Sequence, residues 1–293
     1  PQVMEQVMHL VMFCKATNIP FDVYGFTSTN PDINYEFQKS NPGVVDLDNL
    51  SMPHICSSTF SKSDFMDSME HMYTRLRQNG WGDLCRYEEY GSTPLNQALM
   101  VSTHLVKKFK AKHGIEKMNF ITFTDGDANR ISTYSDWCNN GNMFRPDRSG
   151  AVINVDGTMV KARVGSRSMT SALLKNMTKK YGINTIGFFM ADTNSDWRQR
   201  LWIMADELNK FSEEYKSGAN KEYRINKCVH EQNVLGYNEY YLVKGGKNLE
   251  TQEDEFAVAD DASNASIRTA FKKFSKSKKQ NKVLLTKFGK AVA

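Results

Sequence analysis

Lys117-Met118-Asn119-Phe120-Ile121-Thr122-Phe123-Thr124-Asp125-Gly126-Asp127 is the stretch on which the reading of the fold turns. Its apolar, β-branched and aromatic run has the length of a strand and stops abruptly in small and acidic residues. It predicts a buried strand with a carboxylate at its carboxyl end. In open α/β sheets that end is where ligands bind. Upstream, Gly91-Ser92-Thr93-Pro94-Leu95 opens a helical pattern over 94–112, with Leu95, Ala98, Leu99, Leu105, Val106 and Phe109 inward. A hydroxyl at a helix start and a carboxylate at a strand tip are oxygen ligands suited to a hard divalent cation. Each residue also has a plain structural role. Thr93 fits the N-cap, with Pro94 in the first helical position, and Asp125 fits a turn ahead of Gly126.

Working outward, Val3, Val7, Leu10, Val11 and Cys14 recur at helical spacing over about residues 2–17, and Asn18-Ile19-Pro20 ends that helix. Residues 21–26 read as a short strand. Residues 27–61 read as a long surface loop containing one strand at Val44-Val45-Asp46-Leu47. Ser63 or Asp64 can cap a helix to about Gln78, with Phe65, Met69, Met72 and Leu76 on one face. Residues 128–170 read as an insertion, in which Ala151–Val155, Asp156-Gly157 and Thr158–Val160 form a hairpin. Ser168 or Thr170 starts a helix to about Lys180, Gly182 stops it, and residues 184–190 are the next buried strand. A helix from the Asp192–Asp196 stretch to about Tyr215 follows, then a loop at 216–223 and a strand at 237–243 placed at a sheet edge.

The alternation predicts an α/β fold: a doubly wound, mostly parallel sheet with helices on both faces. With 293 residues and 40% hydrophobic content, the chain can build one large domain at 1–215 with an extension at 216–293. No run of about 18 apolar residues suggests a membrane span. Five scattered cysteines without a Cys-x-x-Cys pair fit reduced thiols in a cytoplasm-like compartment better than a disulfide framework or a zinc site.

The net charge of +5 is unevenly placed. Glu250, Glu253, Asp254, Glu255, Asp260 and Asp261 form an acidic stretch. Lys272, Lys273, Lys276, Lys278, Lys279 and Lys282 then form a basic patch interleaved with Phe271, Phe274, Leu284 and Leu285. That pattern reads as basic amphipathic helices with a solvated face, or as a patch for nucleic acid, an acidic partner or a membrane surface.

The Gly91–Leu95 and Phe123–Gly126 pieces together resemble the second and third metal motifs of von Willebrand factor A (VWA) domains. The resemblance covers roughly residues 1–192. It is closest to VWA segments of the cobaltochelatase-subunit type, including related proteins of large tailed bacteriophages. It implies a VWA/Rossmann-like fold and a Mg²⁺ or Mn²⁺ at the strand tips. Thr93 would contact the ion directly and Asp125 would balance its charge, with Ser92 and Asp127 as supporting residues. The family's first motif, Asp-x-Ser-x-Ser, does not occur before Thr93. The chain begins at Pro1 in a helical pattern, so the expectation is a truncated piece, lacking the first strand and holding the ion weakly. Asp125-x-Asp127 also shares its spacing with phosphotransferases of the haloacid dehalogenase type. Those need Thr or Val after the second Asp-x, and here Ala128-Asn129 follow Asp127.

No Gly-x-Ser-x-Gly, P-loop or His-Glu-x-x-His is present, so a catalytic reading has no motif to rest on. The leading expectation is a metal-dependent protein-binding module that captures a partner's carboxylate. The resemblance implies an AAA+ ATPase as partner and a cytoplasmic setting in a bacterial or phage-infected cell. Two alternatives remain: a non-catalytic subunit of a metal-chelatase-type enzyme complex, and nucleic-acid binding through the basic tail.

Overall fold

The computed structural model describes residues 2–28, 50–77, 92–129, 131, 151–162, 166–210, 212–226 and 228–244, together with Val45 and Leu47. Helix α1 (Gln2–Ala16) leads to strands β1 (Asp22–Tyr24), β2 (Thr27–Ser28), β3 (Leu50–Ser51) and β4 (His54–Ser57). Helices α2 (Lys62–Arg77) and α3 (Leu95–His113) precede β5 (Asn119–Thr124). The hairpin β6 (Ala151–Val155) and β7 (Thr158–Ala162) is followed by α4 (Ser166–Tyr181) and β8 (Asn184–Ala191). Then come α5 (Asn194–Glu207), α6 (Glu213–Asn226), β9 (Cys228–Val234) and β10 (Tyr237–Lys244).

Among the described residues the main sheet has four strands in the order β5-β8-β10-β9. Strands β5, β8 and β10 run parallel, and β9 closes one edge antiparallel to β10. The molecule is thus a mixed α/β protein with a mixed sheet. Alternation along β8 sends Phe189 and Ala191 to one face and Ile186, Phe188 and Met190 to the other. The first face carries the larger core. Leu99 and Val106 of α3, Leu173, Leu174 and Met177 of α4, and Leu201 and Met204 of α5 pack there with Tyr240 and Leu242. On the second face a row of rings crosses all four strands. Phe123, Phe188, Tyr241 and His230 stack at centroid separations of 4.8, 4.9 and 4.4 Å. Such pairs contribute about 0.5–1.5 kcal/mol each beyond their buried area. Val3 of α1 packs on this face.

A third cluster forms where α1 and α2 meet the β1–β4 pair, with Met8, Val11, Cys56, Met69 and Met72 buried. Its methionines fill an irregular space between two helices and two short strands, a task suited to an unbranched, flexible side chain.

Several elements differ from the expectations. Among its described residues the 27–61 region holds three short strands, and β4 pairs antiparallel with β1. Its His54-Ile55-Cys56-Ser57 sequence has only two apolar residues, too few to signal a strand without its partner. The expected strand at 44–47 lies mostly outside the described residues. The expected long helix to Tyr215 stops at Glu207, where Asn209 turns left-handed (φ 53°) and the Lys210 N–H bonds the Ala205 carbonyl at 2.8 Å. Residues 213–226, whose middle has the polar composition of a loop, are helix α6. Their polarity hides an apolar stripe: Tyr215, Ala219 and Tyr223 recur four apart, with Ala219 buried and the two tyrosines packed on the same core. The strand at 237–243 is not an edge strand. It sits inside the sheet between β8 and β9, which explains why Tyr240, Tyr241, Leu242 and Val243 are all buried. The sheet therefore continues past residue 215, and α6, β9 and β10 contribute to the same core. The hairpin forms as expected, with Asp156 (φ 50°) and Gly157 (φ 78°) in its turn.

Candidate functional site

Strand β5 runs parallel to β8 up to the Thr124–Phe189 pair and then leaves the sheet as Asp125-Gly126-Asp127. The start of α3 comes up beside this tip. A Cβ built on Gly126 would lie 2.6 Å from Thr93 Oγ1, so the threonine hydroxyl sits directly against the tip's backbone. The tertiary fold therefore brings together Thr93 and the Asp125–Gly126 turn, which lie more than thirty residues apart in the chain.

The expected capping role of Thr93 does not form. Helix α3 begins at Leu95, Pro94 occupies the N-cap, and no side chain caps the helix. The Thr93 carbonyl accepts from the Leu95 and Asn129 N–H groups, each at 2.8 Å. Among the described residues no hydrogen bond engages the Thr93 hydroxyl or the Asp125 carboxylate. Asp125 is solvent-exposed.

The geometry is held by two asparagines that sequence reasoning did not single out. Asn129 donates through its backbone to Thr93 and through Nδ2 to Ser92 Oγ at 2.7 Å, tying the post-β5 segment to the α3 entrance. Asn96 is fully buried. Its Nδ2 donates to the Asn129 and Ser166 carbonyls at 3.4 and 3.1 Å, and its Oδ1 accepts from the Thr170 hydroxyl at 2.7 Å. One amide thus joins the α3 start, the β5 tip and the α4 start. A buried polar group must find partners, so Asn96 is a clamp and not a misplaced surface residue. Its signal was an amide beside the first inward leucine of α3.

Asp127, expected as a supporting metal residue, is occupied instead by an ion pair. Arg200 Nη2 donates to Asp127 Oδ1 at 2.7 Å, and Arg167 Nε lies 3.9 Å from Oδ2. The Arg200 side chain is only 7% exposed, and its guanidinium lies 3.6 Å over the Phe189 ring. This charge-assisted bond pins the segment after the tip to α5. Ser92 lies beside the site, its hydroxyl accepting from Asn129. The basic patch from Lys272 to Lys282 lies outside the described residues.

Further acids gather at the same sheet end. Asp192 follows β8, and its carboxyl is held above the ordinary carboxylate range by burial first, then by the negative charges of Asp125 and Asp196. Asp196 is engaged in a capping box with Thr193 at the start of α5. Among the described residues no group of three or more His, Cys, Asp or Glu is placed to hold a metal ion. A hydroxyl and a free carboxylate fit a hard cation by donor chemistry, but they are two of the roughly six oxygens that Mg²⁺ demands.

No family model matches the chain, and no curated protein and no solved structure is significantly similar to it. Among the described residues no helix is long and apolar enough to cross a membrane.

Proposed function

We propose that the chain is a metal-dependent protein-binding module of VWA type. In this reading it uses a Mg²⁺ or Mn²⁺ at the strand tips to capture a carboxylate from a partner protein. The observation that carries it is the free Thr93 hydroxyl packed against the Asp125–Gly126 tip, at the carboxyl end of a parallel strand. The sheet order and the α3 entrance are compatible with the doubly wound arrangement that the resemblance implies. Thr93 would contact the ion and Asp125 would lower its net charge. The ion, when bound, would supply a Lewis-acidic position for an incoming carboxylate. The chain's own part is positional. Asn96 and Asn129 hold the two loops in register, and the Arg200–Asp127 pair keeps Asp127 off the site, so that the tip presents one free carboxylate. An AAA+ ATPase is the partner class that the resemblance suggests, in a cytoplasmic setting.

The test is a Mn²⁺ titration of the full chain followed by electron paramagnetic resonance. Two protein oxygens predict a dissociation constant of about a millimolar or weaker. Thr93→Ala and Asp125→Ala should each abolish that binding. Micromolar affinity would overturn the weak two-ligand site, and binding unchanged in both variants would place the ion elsewhere.

A further inference from the structure

We propose that the trough between α5 and α6 is a second binding surface, which takes an acidic amphipathic peptide from a partner protein. The trough encloses a cavity of about 1080 Å³ that is open along one side. Its lining on α5 runs from Asn194 to Ala205, about 16 Å at 1.5 Å per residue, the length of a three-turn helix. Trp197, Leu201 and Ala205 close its base from within the core, each at least nine-tenths buried, and Trp197 tilts against Tyr223 at 4.7 Å, so the ring surface left open is that of Trp202 and the partly buried Tyr223.

The rim is cationic. Among the described residues Arg198, Lys216, Lys221 and Arg224 line it with one acid, Glu213, which Lys216 already holds at 2.6 Å. Open ring surface and positive rim together match a helix that sets apolar anchors among flanking carboxylates, the groove mode of peptide recognition. Trp202 stands at the rim, 54% exposed, with Lys216 Nζ 4.4 Å over its ring. Tryptophan and arginine, here Trp202 with Arg198 and Arg224, are among the residue types that most often carry binding energy at interfaces. The same lysine covers the ring face on which a nucleobase would stack, so the geometry favours a peptide over a single-stranded nucleic acid. Neither Thr93 nor Asp125 lines the trough, so this surface works without metal.

The probe is a fluorescein-labelled 14-residue helical peptide. It carries Leu and Phe at i, i+3, i+4 and i+7 and Glu elsewhere, and it is titrated with the full chain and read by anisotropy. Saturable binding is expected, unaffected by EDTA and weakened as salt rises from about 0.05 to about 0.2 M. Lys221→Glu with Arg224→Glu, both on exposed positions, should weaken it about tenfold or more while the melting curve stays in place. Trp202→Ala should weaken it by a similar factor. Each of these results overturns the proposal: absence of saturation, equal binding by the peptide with Lys in place of Glu, an undiminished affinity in the charge-reversed variant, or tighter binding of an oligothymidylate. The chain's own Glu250–Asp261 stretch is acidic around Phe256 and Val258. Tighter peptide binding after Glu253→Gln, Asp254→Asn and Glu255→Gln would assign the trough to that stretch and overturn capture of a partner.

Discussion

Gly126 and Thr93 show how closely the strand tip and the helix entrance are fitted. Any side chain at 126 meets the Thr93 hydroxyl at 2.6 Å, well inside contact distance. Gly126→Ala should therefore cost about 1–3 kcal/mol, the usual penalty for overpacking. Removing the hydroxyl leaves only Thr93 Cβ, at 3.6 Å, an ordinary contact. In the Thr93→Ala background the same alanine should cost much less. A urea-unfolding double-mutant cycle should return a coupling of about 1 kcal/mol or more. Additive effects would mean that the two residues do not touch. Arg200 makes the complementary point. Its partner Asp127 lies 73 positions away, and nothing in the local sequence of either residue marks the pair.

The β9–β10 hairpin depends on one residue of its turn. Leu235 and Gly236 both have positive φ (53° and 88°), and a Cβ on Gly236 would lie 2.5 Å from the Ser171 Cα in the α4 backbone. Backbone cannot step aside as a side-chain tip can. Gly236→Ala should destabilise by more than about 2 kcal/mol, read as a lowered melting temperature. Gly218, inside α6, has nothing within 4 Å of a built Cβ. Gly218→Ala should stabilise by about 0.5–1 kcal/mol, because alanine is the better helix former. Equal effects of the two substitutions would refute this placement of the hairpin. Helix α6 and strand β9 also mark the limit of local reading. Glu213–Asn226 is polar enough to resemble a loop, and its helix rests on three inward positions. Cys228–Val234 includes His230, Glu231, Gln232 and Asn233, and it becomes a strand only because β10 lies alongside.

For the molecule as a whole, stability should fall in mild acid because of His9. Its side chain is only 11% exposed, and burial lowers its pKa from 6.5 to about 4. The Glu5 carboxylate lies 4.0 Å from Nε2, too far for a hydrogen bond, so burial dominates. The fold holds the imidazole neutral while the unfolded chain takes up a proton between about pH 6.5 and 4. The stabilisation is complete above that window and is lost as pH drops through it, by up to about 3 kcal/mol. Urea melts across the window should show this slope, and His9→Gln should flatten it. A slope unchanged by the substitution would reject His9 as its source.

The strand at 119–124, the strand at 184–191, most of the apolar stripes of α1 to α4 and the Asp156-Gly157 turn were legible in the sequence. Each rests on neighbours within a few residues: apolar periodicity, glycine after the helix, turn chemistry. Thr93 and Asp125 were singled out by residue type at a helix start and a strand end together with the VWA resemblance, and the fold sets Thr93 against the Asp125–Gly126 turn. The tertiary structure decided what depends on distant partners. It placed β10 inside the sheet, engaged Asp127 with Arg200, released Thr93 from its capping role and recruited Asn96 and Asn129 as clamps. The physical reason is that strand order and buried hydrogen bonding are set by packing between segments tens of residues apart, and local periodicity carries no record of which segment lies next to which.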